Sequence, residues 1–597
     1  MIQRIILIAV LITFGSRFVA ATEPSATSKL VAEDARLNVF FDTLFDRDIT
    51  NSPNRQTSLG LKTERQGQWT DNSDTYANAR TAEKIQDLAS LVANFDYAKL
   101  SPKGQLSYDI FRFDTQQAIE NAKFMRHFYV ADQFQGQFTW PLSLLQNNHK
   151  IDTNQDALDY IARVKGIEAM MQEMVKQSQD REAFGVMAPQ FAFPAMMLDI
   201  KSIIDQSPLT ADFSAKVAVL DISKSAKASL LKQANEAIEG EFVRGYTSLL
   251  NEVTRLSKLQ QKNVGVWALP DGDQFYQNRV KHHTNLDMTA AQIHDFGKAD
   301  VARIHDEMRG IMKTVGFTGT LQEFFAFVRN DPNNFYADTD AGREAFLADA
   351  RQETAEIFKV APAFFKRLPK AGLEVRRVEE WRENSTSIAF YNRPSMDGRR
   401  PGIYYANLAD MKGVQKYVFK AITYHEGVPG HHFQIALAQE LDGLPKFRKF
   451  GGGNAFVEGW ALYAEKLAKE MGFYVDPMHD FGRLQDEIWR SVRLVTDTGI
   501  HSKKWTRQQA IDYFIENTPI SEQDITTEVE RYFVNPGQAL GYKMGMSKIE
   551  ALRAKAEAQL STNFDIRDFH EVVIGAGPMP LPVLEQQVNH YIIANQF

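Results

Sequence analysis

Tyr424-His425-Glu426-Gly427-Val428-Pro429-Gly430-His431-His432 gathers three of the chain's thirteen histidines into eight residues, and its reading decides what the rest must build around it. Val414, Val418, Ala421 and His425 recur at helical spacing on one stripe. His425 therefore closes the apolar face of a predicted helix and points inward. A buried imidazole beside a carboxylate suggests a metal ligand, although a lone buried histidine is more often a hydrogen-bonded core residue. Two histidine ligands on one helix usually sit four residues apart, with a Glu between them as base. Here His425 and His431 are six apart. On a continuous helix that spacing turns them by about 240° and separates them by about 9 Å. One ion with bonds near about 2.0 Å cannot span this. Gly427, Pro429 and Gly430 supply the break, glycine by its backbone freedom and proline by its fitness for the first turn of a new helix. The predicted outcome is a helix ending near Glu426, a short bend, and a second helix from about Gly430.

A third ligand is needed, and in a chain without cysteine a carboxylate is the natural one. Glu458 is the predicted donor. It lies in a helical stretch, Val457 to Glu465, just beyond Gly451-Gly452-Gly453, whose flexibility permits an antiparallel return. His432 stands as the alternative to His431. Glu465 lies seven residues beyond Glu458 on the same face, where it either orients a ligand histidine or makes a surface ion pair.

Outward from this motif, the 597 residues are 44% hydrophobic and 24% charged, a composition that excludes disordered and disulfide-stapled classes. The net charge of −7 and the absence of a dense Lys/Arg stripe argue against nucleic acid as a partner. From about 28 to 360 the period is helical, notably over 157–175, 215–256 and 290–315, with loops expected at 50–74 and 330–342. Between 373 and 407 three short β-branched or aromatic runs, 373–378, 387–392 and 402–407, read as a small meander. The fold class is thus mostly α, a large helical body with one small antiparallel β-sheet immediately before the active-site helix. If strand 402–407 has an open edge, an extended peptide can add beside it. At the start, Arg4, the apolar run Ile5 to Phe14, and the small residues Ala20 and Ala21 read as a secretory signal over residues 1–21. An uncleaved anchor is the competing reading. A chain with no cysteine has no lipidated cysteine either, so the expected location is periplasmic or secreted, off the membrane once the signal is cut.

These motifs resemble the bacterial domain-of-unknown-function family 885, placed among the peptidase-like zincins. The resemblance covers roughly residues 35 to 592. It rests on His425, Glu426, Pro429, Gly430, His431 and Gln434, on Glu458 to Ala461, on Asp497 to His501, and on Pro536 to Ala539 with Tyr542, Lys543 and Gly545. It implies a helical N-terminal portion, 22–365, and a zincin-like catalytic portion, 366–597, packed into one body. It also favours His431 over His432. The expected site holds one Zn²⁺ on His425, His431 and Glu458, with a fourth position for water and Glu426 as general base. His501 and Tyr542 are expected to donate to the developing negative oxygen, each with a core role as the alternative. Gln538, Arg493 and Lys543 orient substrate or serve structure. The expected function is an exported zinc-dependent hydrolase of short peptides. The alternatives are a zincin-like peptide binder without turnover, and a hydrolase of non-peptide amides or esters. Oligomeric state has no signature in the sequence.

Overall fold

The computed structural model describes residues 26–134, 137–259, 262–379, 383, 387–394 and 400–596. The expected signal at 1–21 lies outside them. Helices dominate, and their ends follow local chemistry. Asn154–Phe184 opens with a reciprocal Thr153/Asp156 cap and closes at Gly185 in the left-handed region. Helix α1, Ala290–Thr314, opens with the same device at Thr289 and Gln292. The continuous helical period expected over 215–256 is divided, because Ser223 caps a fresh helix at Lys224 and a wide turn at Ile238–Phe242 precedes Val243–Ser257. The loop expected at 50–74 contains a short helix, Pro53–Ser58, started by the Ser52 side chain with proline in its first turn.

Three strands form where the sequence placed them: β1 Leu373–Arg377, β2 Ala389–Asn392 and β3 Gly402–Ala406. Their order is β1-β3-β2, with β1 parallel and β2 antiparallel to β3. The expected antiparallel meander is therefore corrected to a mixed sheet. Every residue of β3 is buried, whereas β1 and β2 each keep exposed positions. The most apolar strand takes the centre, where neighbours satisfy its backbone on both sides. With a neighbour on each side, β3 has no open edge for an extended peptide to join.

The remaining helices carry the motif. They are α2 Phe419–Glu426, α3 His431–Gln439, α4 Asn454–Glu470, α5 Pro477–His501 and α6 Leu540–Leu560. Because α2 starts only at Phe419, Val414 precedes it and the apolar stripe is shorter than the spacing suggested. Val301, Ile304 and Met308 of α1 share an apolar cluster with Leu484, Ile488 and Val492 of α5. Tyr424, Val428, Phe433 and Trp460 belong to a second cluster with Leu106 and Ile357, so N-terminal helices pack around the motif itself. A buried ion cluster joins α1, α5 and α6: Lys543 Nζ lies 2.6 Å from Glu487 and 3.1 Å from Asp300, and Arg483 lies 2.9 Å from Glu487. Lys543 is thus held by structure, and removing either side would strand a buried charge. No helix among the described residues is long and apolar enough to cross a membrane.

Helices α4 and α6 touch backbone to backbone. A Cβ added at Gly459 would stand 2.5 Å from Gly545 Cα. Gly459→Ala is therefore expected to cost about 1–3 kcal/mol by overpacking, read as a lower denaturant midpoint. Gly310→Ala on α1, where nothing lies within 4 Å, is expected to gain about 0.4–1 kcal/mol from a stiffer unfolded chain. Equal midpoints for the two variants would refute the tight α4–α6 contact.

Candidate metal centre

The bend between α2 and α3 is made by residues that tolerate close backbone approach. Gly427 ends α2 at φ −99°, ψ −115°, and Gly430 precedes α3 at φ −79°, ψ −128°. A Cβ on Gly430 would fall 1.9 Å from the His425 carbonyl oxygen, so no other residue fits there. From α4, Trp460 Nε1–H donates to the Pro429 carbonyl at 2.9 Å and fixes the bend from outside. The chain reverses, and the His425 and His431 rings meet with centroids 4.7 Å apart at 87°.

Glu458, two residues before Trp460, projects to the same point. Its Oε2 lies 3.6 Å from His425 Nε2 and 3.5 Å from His431 Nε2. All three ligating atoms lie within 4.8 Å of one another. These separations are long for hydrogen bonds. They approach the roughly 3.3 Å between neighbouring ligand atoms around a tetrahedral ion with bonds of about 2.0–2.1 Å. The three groups thus converge on a point rather than pair with each other.

Around them, Glu465 Oε1 accepts from His425 Nδ1–H at 2.7 Å, which leaves the Nε2 lone pair facing Glu458. Of the two roles weighed for Glu465, the geometry is that of a positioning carboxylate, 1% exposed, and not a surface ion pair. Burial pushes its carboxyl up to about 7, with the Asp486 charge adding and His425 opposing. Burial alone would lower His425, but Glu458 and Glu465 outweigh it and hold the imidazolium well above its usual range. Burial likewise opposes ionisation of Glu458, yet the His431 and His425 charges keep it well below the usual carboxylate range.

Glu426 ends α2 beside His425. Its Oε2 is buried without a hydrogen-bond partner, and burial raises its carboxyl against the pull of His431 and His425. His431 Nδ1 and the Tyr404 hydroxyl of β3 are also buried and unpartnered. Two imidazoles, one carboxylate and an unsatisfied carboxylate beside them fit a borderline divalent cation with an open position.

The other expected residues separate. His432 accepts from Tyr391 OH at 3.0 Å and donates to the Ala371 carbonyl at 3.1 Å, so neither nitrogen is available as a ligand. His501 accepts from the Val266 backbone N–H at 3.1 Å and donates to the Tyr532 carbonyl at 2.9 Å. It is a fully buried core histidine, and the donor role expected of it is withdrawn. Tyr542 lies with its ring 4.8 Å from the Arg493 guanidinium and 5.9 Å from that of Arg490, whose charge acts on Glu426. Arg493 is engaged by Tyr532 and Glu528, and Gln538 by Asn454 and Arg531. Sequence reasoning missed Tyr391 and Tyr404. Their strands were legible, but period-two alternation does not say which face meets the centre. It also quoted Trp460 without foreseeing that its N–H fixes the bend.

Comparison with known proteins places these residues in context. A family model described as "Bacterial protein of unknown function (DUF885)" matches residues 53–588. The solved structure of a candidate lipoprotein from Colwellia psychrerythraea is 30% identical, with TM-score 0.87, over 94% of this chain and 99% of that one. A candidate lipoprotein of unknown function from Shewanella oneidensis is 18% identical, with TM-score 0.72, over 93% and 99%, and shows the fold alone. No curated protein matches.

Because His425 must shed its proton to bind an ion, apparent affinity for Zn²⁺ is expected to rise with pH by up to about tenfold per unit, with proton release on binding. Calorimetry in buffers of different ionisation enthalpy measures this. Glu465→Gln is expected to weaken the ion about 10–100-fold in a chelator competition. Unchanged affinity would remove Glu465 from the site.

Proposed function

The chain belongs to the DUF885 family of bacterial proteins of unknown function, and from its site we infer a zinc-dependent hydrolase that cleaves amide bonds of short peptides. The observation that carries this reading is the buried, unpartnered Glu426 carboxylate beside the converging His425, His431 and Glu458. Those three would hold the ion. When bound, Zn²⁺ supplies a Lewis acid that polarises a carbonyl and acidifies a water.

The chain's own residues supply the proton chemistry. Glu426 takes the proton from the attacking water as the C–O bond forms, and returns it to the amine nitrogen as the C–N bond breaks. Burial raises its carboxyl toward the range in which it can do both. Glu465 holds the His425 ring in the ligating tautomer. Glu458 stays ionised against its burial because two imidazoles face it. For the developing oxyanion, Tyr542 remains the proposed donor, held over the Arg490 and Arg493 guanidinia.

The proposed workplace is outside the cytoplasm. The apolar N-terminal run followed by small residues supports a cleaved signal, and the two solved proteins of like fold are described as candidate lipoproteins. This chain has no cysteine to carry a lipid, so the released form proposed here is free of the membrane.

Metal analysis of protein purified without chelator, followed by a peptide-library digest read by mass spectrometry, tests the assignment. The expected result is about one zinc per chain, turnover abolished by chelation, and a loss of about 10²–10⁴-fold in Glu426→Gln with zinc retained. Protein that binds peptides without cutting them would establish the binder instead. Turnover confined to non-peptide esters or amides would keep the centre and change the substrate.

A further inference from the structure

A cavity of about 350 Å³ opens beside Glu458, at the lower end of the roughly 300–1,000 Å³ typical of small-molecule sites. Its wall is electropositive. Arg393 from the end of β2 and Lys449 line it, and neither side chain forms an ion pair or hydrogen bond among the described residues, the Arg393 carbonyl alone accepting from Arg400. Glu458 is the one acid among the lining side chains, and the centre already claims its charge.

The same wall carries the start of α4. Gly453 is its N-cap, and no side chain accepts from the first-turn N–H groups. Gly451 and Gly452 beside it in the lining place no side chain of their own over that backbone, and its near neighbours are Val457 and Pro578 at Gly452 and the Asn285 Oδ1 at Gly453. A helix start of this kind favours an anion. An independent feature points the same way: Gln434 is 1% exposed and lines the cavity, yet its Oε1 has no partner. A buried amide oxygen without a donor is costly unless a ligand supplies one.

We propose that this cavity takes the C-terminal end of the peptide substrate, with its carboxylate on Arg393, Lys449 and the α4 N-terminus and its backbone N–H on Gln434. The proposal rests on the hydrolase reading and makes the reaction exopeptidic from the carboxyl end. Water adds across the scissile amide, yielding a shortened peptide with a new carboxylate and a released C-terminal fragment with a free amine. The same anion chemistry could come from an internal Asp or Glu side chain, which would permit endoproteolysis instead.

The test compares three forms of one peptide by calorimetry on zinc-loaded Glu426→Gln protein: free acid, C-terminal amide, and amide with an Asp near the end. The free acid is expected to bind at least about tenfold more tightly than the plain amide. Arg393→Ala and Lys449→Ala should each erode that preference, and Lys449→Arg should retain it. Equal binding of acid and amide overturns the proposal whether or not any peptide is cut. Asp-bearing amide that binds as well as the free acid overturns the terminal assignment in favour of a side chain. A preference for the free acid without hydrolysis by the wild type leaves the carboxylate site standing while the hydrolase reading fails. With hydrolysis, products shortened only at the C-terminus support exopeptidic cleavage, and internal fragments refute it.

Discussion

A single backbone reversal, Gly427 to Gly430, is the constraint on which the centre depends. It shortens the path between two imidazoles that a straight helix would turn apart, and it works only because Gly430 has no side chain to collide with the His425 carbonyl. The reversal is held from both sides. Trp460 bonds the Pro429 carbonyl, and Val428, Phe433 and Trp460 bury their apolar surface together with residues from distant parts of the chain. Since Trp460 lies two residues after Glu458, one helix both fixes the bend and delivers the third donor. Bend and ligand therefore move together.

Buried charge is handled differently at the centre and in the ion networks that join the core helices. Between the core helices, buried ions are matched in two groups: Lys543, Arg483, Glu487 and Asp300 form one network, and Arg493 meets Glu528. Such networks offset desolvation by mutual attraction and lock helices α1, α5 and α6 in register. At the centre, by contrast, Glu426 and His431 keep buried polar atoms without partners. Unpaired buried polar atoms are costly, and at the centre they sit where a reactive group would need them.

The sheet shows how burial overrides connection length. A meander was the economical reading of three strands in succession, but the strand with no exposed residue went to the middle, and one neighbour became parallel. The consequence is functional. Substrate has no free edge on β3, and the lining of the cavity beside Glu458 comes instead from the end of β2, α3 and the glycine segment before α4.

Much of this was legible from residues alone. Whereas the preference for His431 over His432 came from the family resemblance, the helical class, the three strand positions, the broken helix after Glu426, and His425 and Glu458 as candidate ligands follow from periodicity, from glycine and proline placement, and from the lack of cysteine. These are local properties, set by neighbours within a few turns. Whether His501 faced the centre, whether Glu465 pointed inward, which face of β3 carried Tyr404, and what surrounded Lys543 were decided only when distant segments packed. A helix stripe tells that a side chain is buried but not beside what. His501, some seventy residues beyond His431, was claimed by the Val266 N–H and the Tyr532 carbonyl, because a buried imidazole bonds whatever the packing brings within reach.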